Sequence, residues 1–159
     1  MLRPTIATDI PALKLVIDAT GMFPSEMLDG MIAGYLAHSD GGAFWLTDVD
    51  DETSCAPVGV AYCAPERMTE GTWNLLVIAE HPDRQGQGRG TSILRHVEHA
   101  LASKGARVLL IETSGLPAYE RTRAFYLKNG YELEARIRDF YQHGEDKLVL
   151  RKVLGGLWG

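Results

Sequence analysis

The chain has 159 residues, 45% of them hydrophobic and 23% charged, which is the size and make-up of one compact domain and excludes disordered and fibrous classes. A formal net charge of -5 argues against a broad basic face, so no nucleic-acid partner is expected. Met1 to Leu15 is interrupted by charges and no later run reaches membrane-spanning length, so no membrane partner is expected and a cytoplasmic location follows by default. Cys55 and Cys63 are too few for a structural zinc site or a disulfide framework, and Cys63 lies in an apolar run as a small hydrophobe would.

Leu2-Arg3-Pro4 predicts a short edge strand, where a proline is tolerated. A helix follows, with Thr8 or Asp9 as cap, Pro11 in its first turn, and Leu13, Val16 and Ile17 on one face. A second helical pattern opens at Ser25 and carries Met27, Leu28, Met31, Ile32, Tyr35 and Leu36 at helical spacing. Ala43 to Thr47 and Val58 to Cys63 predict a hairpin whose acidic connection, Asp48 to Pro57, reads as a solvated loop. Thr72 to Ala79 predicts another strand, and Thr91 to Ser103 an amphipathic helix with Ile93, Leu94, Val97, Ala100 and Leu101 inward. Arg107 to Glu112 is apolar between its ends, as in a strand covered on both faces. A short helix over Glu120 to Lys128 stops at Asn129-Gly130, and strands are predicted around Glu134 to Phe140 and Leu148 to Val153. A meander followed by helical crossovers implies an α/β or α+β fold with mixed strand directions, in one domain over 1–154 with a tail at 155–159.

Gln85-Gly86-Gln87-Gly88-Arg89-Gly90-Thr91 lies between a predicted strand and a predicted helix. Alternating glycines let the backbone approach a ligand, and successive N–H groups at a helix start form an anion site that suits a pyrophosphate. The dinucleotide fingerprint fails because Thr91 stands where its third glycine belongs, and the nucleotide P-loop fails because the loop has no lysine. What remains is a Gln/Arg-x-x-Gly-x-Gly pattern.

The segment from Ile78 to Gly90, including Pro82 ahead of the loop, resembles the cofactor-binding stretch of GNAT acetyltransferases, and the likeness extends over essentially the whole chain. The resemblance implies a mixed, mostly antiparallel sheet of six to seven strands flanked by about four helices, with strands four and five splayed. It also implies acetyl-CoA as co-substrate and no metal. By position, the backbone of Ile78, Ala79 and Glu80 would pair with the pantetheine arm, while Gln85, Gly86, Gln87, Gly88, Arg89, Gly90 and Thr91 would hold the pyrophosphate. Glu80 departs from the family pattern, which has an apolar residue there, and brings an unexpected carboxylate.

Acetyl transfer to an amine requires a neutral nucleophile and a proton for the departing thiolate. Bacterial ribosomal-protein alanine N-acetyltransferases are among the closest resemblances. They imply Glu112, which ends Val108-Leu109-Leu110-Ile111, as base and Tyr126 as acid; Glu80 and water stay open as alternatives to Glu112. Tyr119 falls where those enzymes carry a cofactor-binding asparagine, leaving Ser114 or Thr122 for that contact. Arg138, Asp139, Phe140 and Tyr141 resemble their acceptor-lining segment. His96 and His99 stand one helical turn apart without a third ligand, and His81 precedes Pro82 in a loop; both read as solvated histidines.

The resulting expectation is an N-acetyltransferase acting on a primary amine, of a small metabolite or a peptide N-terminus, by direct attack in a ternary complex. A non-catalytic acyl-CoA binding module and an interaction subunit using the Met22 to Leu36 face, with a homodimer as one form, are the alternatives.

Overall fold

The computed structural model describes residues 1–50 and 55–155. Seven strands, β1 (Leu2–Pro4), β2 (Phe44–Asp50), β3 (Ala56–Pro65), β4 (Thr72–Glu80), β5 (Val108–Ser114), β6 (Glu132–Gln142) and β7 (Glu145–Val153), form one sheet in the order β1-β2-β3-β4-β5-β7-β6. Four α-helices, α1 (Ile10–Thr20), α2 (Leu28–Leu36), α3 (Arg89–Ser103) and α4 (Glu120–Lys128), and four three-residue 3-10 turns complete the elements among the described residues. β4 and β5 are parallel, and their paired residues run only from Thr72↔Val108 to Leu75↔Ile111, short of the ends of both strands. The other recorded pairings are antiparallel.

The chain divides into two compact units. One holds Met1–Pro65 and Leu76–His99, the other Glu66–Leu75 and Ala100–Gly159. The core of the first follows from sequence spacing. Leu13, Val16 and Ile17 on α1 and Leu28 and Ile32 on α2 are buried with Trp45, Val60, Val77 and Ala79 of the strands. Trp45 stacks on Tyr62 with ring centroids 4.3 Å apart. Asp9, at the N-cap position of α1, makes no side-chain cap bond to that helix; its carboxylate instead accepts from both guanidinium nitrogens of Arg3, at 2.7 and 2.8 Å, and from the Ile6 amide at 2.9 Å, which ties β1 to the 3-10 turn over Ala7–Asp9 ahead of α1. In the second unit Leu109, Ile111, Leu148 and Leu150 are buried along β5 and β7.

Three sequence-based expectations change. The acidic connection between β2 and β3 was expected to be solvated from Asp48 onward, but β2 continues through Asp50, and Asp48 and Asp50 are 4% and 1% exposed. Backbone pairing of Asp48 with Leu2 and Gly59 carries the strand past the predicted stop. The rest of that loop, 51–54, lies outside the described residues, as does the tail beyond Gly155. β5 is fully buried on one face only, with Val108, Leu110 and Glu112 half-buried. Met27 belongs to a 3-10 turn ahead of α2 and is exposed, so the stripe on that helix begins at Leu28.

Candidate active site

In the first unit β4 ends at Glu80, and a short turn over Pro82–Arg84 leads to the glycine loop and α3. His81 caps this turn by accepting the Asp83 amide at 3.1 Å, a local structural duty that the sequence did not show. Gly86 and Gly88 have φ of +78° and +77°, conformations costly for side-chain-bearing residues, and nothing lies within 4 Å of where their Cβ atoms would stand. The Gly88 carbonyl accepts the Ser92 amide at 3.0 Å, which closes the first helical turn. The leading N–H groups of α3 have no acceptor within the helix and carry the positive end of its dipole. An open cradle at a 15-residue helix start presents the peptide N–H donors that suit an anion.

Side chains on β2 hold both ends of this loop. Arg84 forms an ion pair with Asp50, and Arg89 donates to Asp48 at 3.0 Å and lies 3.8 Å from Asp50. Arg89 therefore turns its guanidinium toward β2, and its contribution to the loop is its backbone amide. The Gln85 side chain donates to the Glu80 carbonyl at 3.3 Å, tying the loop to the end of β4. A side chain at Gly59 would meet Asp48 Cβ at 3.1 Å, the Ala79 carbonyl at 3.3 Å and Glu80 Cγ at 3.5 Å, so the glycine lets the two acids approach above β3. Glu80 is 9% exposed. Burial first, and the Asp48 carboxylate second, push its carboxyl up to about 7 against the opposing pull of Arg89.

In the second unit Glu112 Oε2 accepts from Asn74 Nδ2 at 3.1 Å and from Lys147 Nζ at 3.0 Å. Asn74, 2% exposed, also donates to Glu66 Oε1 at 3.0 Å. A flip of its amide would turn oxygen toward two carboxylates, so this orientation is fixed by charge. Lys147 Nζ lies 4.1 Å from the centroid of the Phe140 ring, and burial, then the Glu112 charge, raise the Tyr141 hydroxyl above its ordinary value. Tyr126 on α4 is 5% exposed, edge-on to Tyr131 at 6.0 Å, and its hydroxyl is raised well above the usual phenol value by burial, which keeps it protonated as a hydrogen-bond donor. Ser114 Oγ accepts the Leu116 amide at 3.1 Å, whereas Thr122 and Tyr119 are exposed. His96 and His99 are exposed, and no cluster of metal-ligating side chains occurs among the described residues.

The sequence residues thus fall into two groups. Ile78 to Glu80 and Gln85 to Thr91 come together in the first unit, and Glu112 and Tyr126 belong to the second. Sequence reasoning missed Asp48, Asp50 and Arg84 as anchors of the loop, and Asn74 and Lys147 as partners of Glu112.

Residues 40–133 match the family model of the GNAT acetyltransferase domain. The chain belongs to the GNAT acetyltransferase family. It is an acyltransferase, and the GNAT fold expected from its sequence is the one observed. A GNAT-family protein from Desulfovibrio desulfuricans is 31% identical, with a TM-score of 0.88 over 98% of this chain and 99% of that one. The ribosomal-protein-alanine N-acetyltransferase of Brucella melitensis shares the fold at 19% identity, TM-score 0.77, over 97% of this chain and 99% of that one. So does an aminoglycoside 6'-N-acetyltransferase complexed with coenzyme A, at 16% identity, TM-score 0.78, over 98% of each chain. No curated protein matches significantly. Among the described residues no helix is long and apolar enough to cross a membrane.

Proposed function

We propose that this GNAT enzyme moves an acetyl group from acetyl-CoA to a primary amine, on a small metabolite or a peptide N-terminus, by direct attack in a ternary complex. The observation that carries the reading is the open cradle at Gly86 and Gly88, whose backbone leads into the first turn of α3. The donor set there consists of peptide N–H groups, which suit a pyrophosphate. Acetyl-CoA supplies an activated acyl group on a thiol leaving group. In this reading the backbone of Ile78, Ala79 and Glu80 aligns the donor as an added strand would.

Glu112 takes the amine proton, directly or through one water, and the arrangement around it suits that task. Asn74 and Lys147 both bind Oε2, which fixes the carboxylate in place. Lys147 also competes for that oxygen, so Glu112 must reach its proton through Oε1 or by displacing Lys147. Tyr126 donates a hydrogen bond to the departing thiolate from an environment that keeps its hydroxyl protonated. The acceptor is addressed by Phe140 and Tyr141 beside Glu112.

The test is a panel of amines, including peptides with free N-termini, assayed by thiol release from acetyl-CoA and paired with thermal shift by acetyl-CoA alone. Stabilisation with thiol release on an amine supports the reading. Stabilisation with no release on any amine points to a non-catalytic acyl-CoA binding module, and no stabilisation removes the loop assignment.

A further inference from the structure

The glycine loop lacks the usual means of holding a shape. Gln85 to Gly88 are exposed, and no atom lies within 4 Å of the Cβ positions of Gly86 or Gly88, so packing does not define its path. Both residues on its flanks are arginines, and both are ion-paired to one strand. Arg84 reaches Asp50, and Arg89 reaches Asp48 at 3.0 Å with its second nitrogen 3.8 Å from Asp50.

We propose that Asp48 and Asp50 are positioning residues for the coenzyme pyrophosphate, acting through Arg84 and Arg89 to set the spacing of the two ends of the loop. This rests on the reading that the loop binds that pyrophosphate.

Three features make the pairs more than surface salt bridges. The aspartate side chains are 5% and 2% exposed, so each carboxylate has lost most of its hydration; Asp48 is shared between Arg89 and the Met1 ammonium at 3.2 Å, and Asp50 takes Arg84. Asp48 is paired on both sides, with Leu2 of β1 and Gly59 of β3, and Asp50 on one, with Ala56 of β3 beyond a register shift at Asp48/Val49, so the anchors sit within the sheet. The two guanidinium groups flank the glycine loop: Arg84 closes a three-residue turn and Arg89 opens α3. A strand of the sheet thereby dictates where the first amides of α3 stand. Neither aspartate touches substrate in this scheme.

The prediction separates the donor's two parts. Asp50→Asn keeps the shape of the side chain but removes the charge that holds Arg84. It should lower kcat/KM for acetyl-CoA by about tenfold to 100-fold, the size expected from misplacing a binding group by about an ångström. It should leave kcat/KM for S-acetylpantetheine, which has no pyrophosphate, within about twofold of the parent value. Arg84→Gln, at a side chain one-third exposed, provides the same comparison if Asp50→Asn does not fold. Arg84→Lys should recover part of the loss by restoring the charge. Equal losses on both donors would mean that the pairs only stabilise the fold, and no loss on either would mean that the loop holds its shape without them; each result overturns the proposal. A parent enzyme that uses both donors equally well would instead overturn the pyrophosphate reading on which the proposal rests.

Discussion

Glu80→Gln tests the electrostatics of the first unit through stability alone. The Glu80 carboxyl rises from the ordinary 4.5 to about 7 because it is buried and faces Asp48. The protonated acid is therefore the form that the fold accepts. Its contribution is fully present below the unfolded value of 4.5 and is lost as pH climbs through about 7. Between those limits each pH unit removes up to about 1.4 kcal/mol. Integrated from pH 5 to pH 8, where the slope flattens above the folded value, the loss is about 2.5 kcal/mol. Gln does not titrate, so the stability of the parent relative to Glu80→Gln should fall by about that amount over this interval. Urea denaturation of both proteins at matched pH values measures it, and the melting temperatures should diverge by roughly 5 to 10 °C for a chain of this size. A difference between the two proteins that stays constant from pH 5 to pH 8 would refute the argument, because it would mean that Glu80 is as well accommodated charged as neutral.

Gly88→Glu should abolish stabilisation by acetyl-CoA; no atom crowds that position but φ of +77° strains any side chain there, so the shift is read against the variant's own melting temperature, and a variant stabilised as strongly as the parent would displace the loop from its role. Tyr126→Phe keeps the buried ring and removes the hydroxyl; turnover should fall by about 100-fold with acetyl-CoA affinity unchanged, and unchanged turnover with chemistry rate-limiting would return the residue to packing. Glu112→Gln should depress turnover most at low pH and recover as the acceptor loses its own proton, near 7.7 to 8.0 for an α-amine and near 10.4 for a lysine-type amine. A pH–rate profile with the parent's shape would remove Glu112 from proton transfer.

Much of the fold is legible because its signals are local. Leu13, Val16 and Ile17 announce the buried face of α1 by spacing alone, and each is at most 1% exposed. The strand-to-helix passage through Gly86 and Gly88 is equally local, since the need for positive φ and for an open approach belongs to the loop itself. The boundaries of β6 are less legible. Its pairing with β7 shifts register between Leu133 and Ala135 and again between Ile137 and Gln142, with Asp139 at φ +54°, so strict alternation fails there and the strand outruns the predicted segment at both ends.

Charged residues pose the opposite problem, because their meaning depends on what faces them. Asp48 and Asp50 stand in a run of acids that composition reads as a loop tip. Their partners lie 41 and 34 positions away, at Arg89 and Arg84. Only the pairing of β2 with β3, and the glycine at 59 that leaves room for Asp48 and Glu80 together, turns the run into buried counter-charge. Glu112 shows the same dependence. Its position at the end of an apolar strand was readable, but its partners were not, since Asn74 precedes it by 38 residues and Lys147 belongs to β7. A carboxylate held by a lysine and an amide is fixed in place, which suits a group that must meet a substrate proton in one geometry. It must also yield its lysine or use its second oxygen to do so. Lys147→Met separates the two routes: with the competing ammonium gone, turnover should rise if the lysine has to be displaced and should stay at the parent value if Glu112 works through Oε1, whereas a fall in turnover would mean that Lys147 is needed to orient the carboxylate.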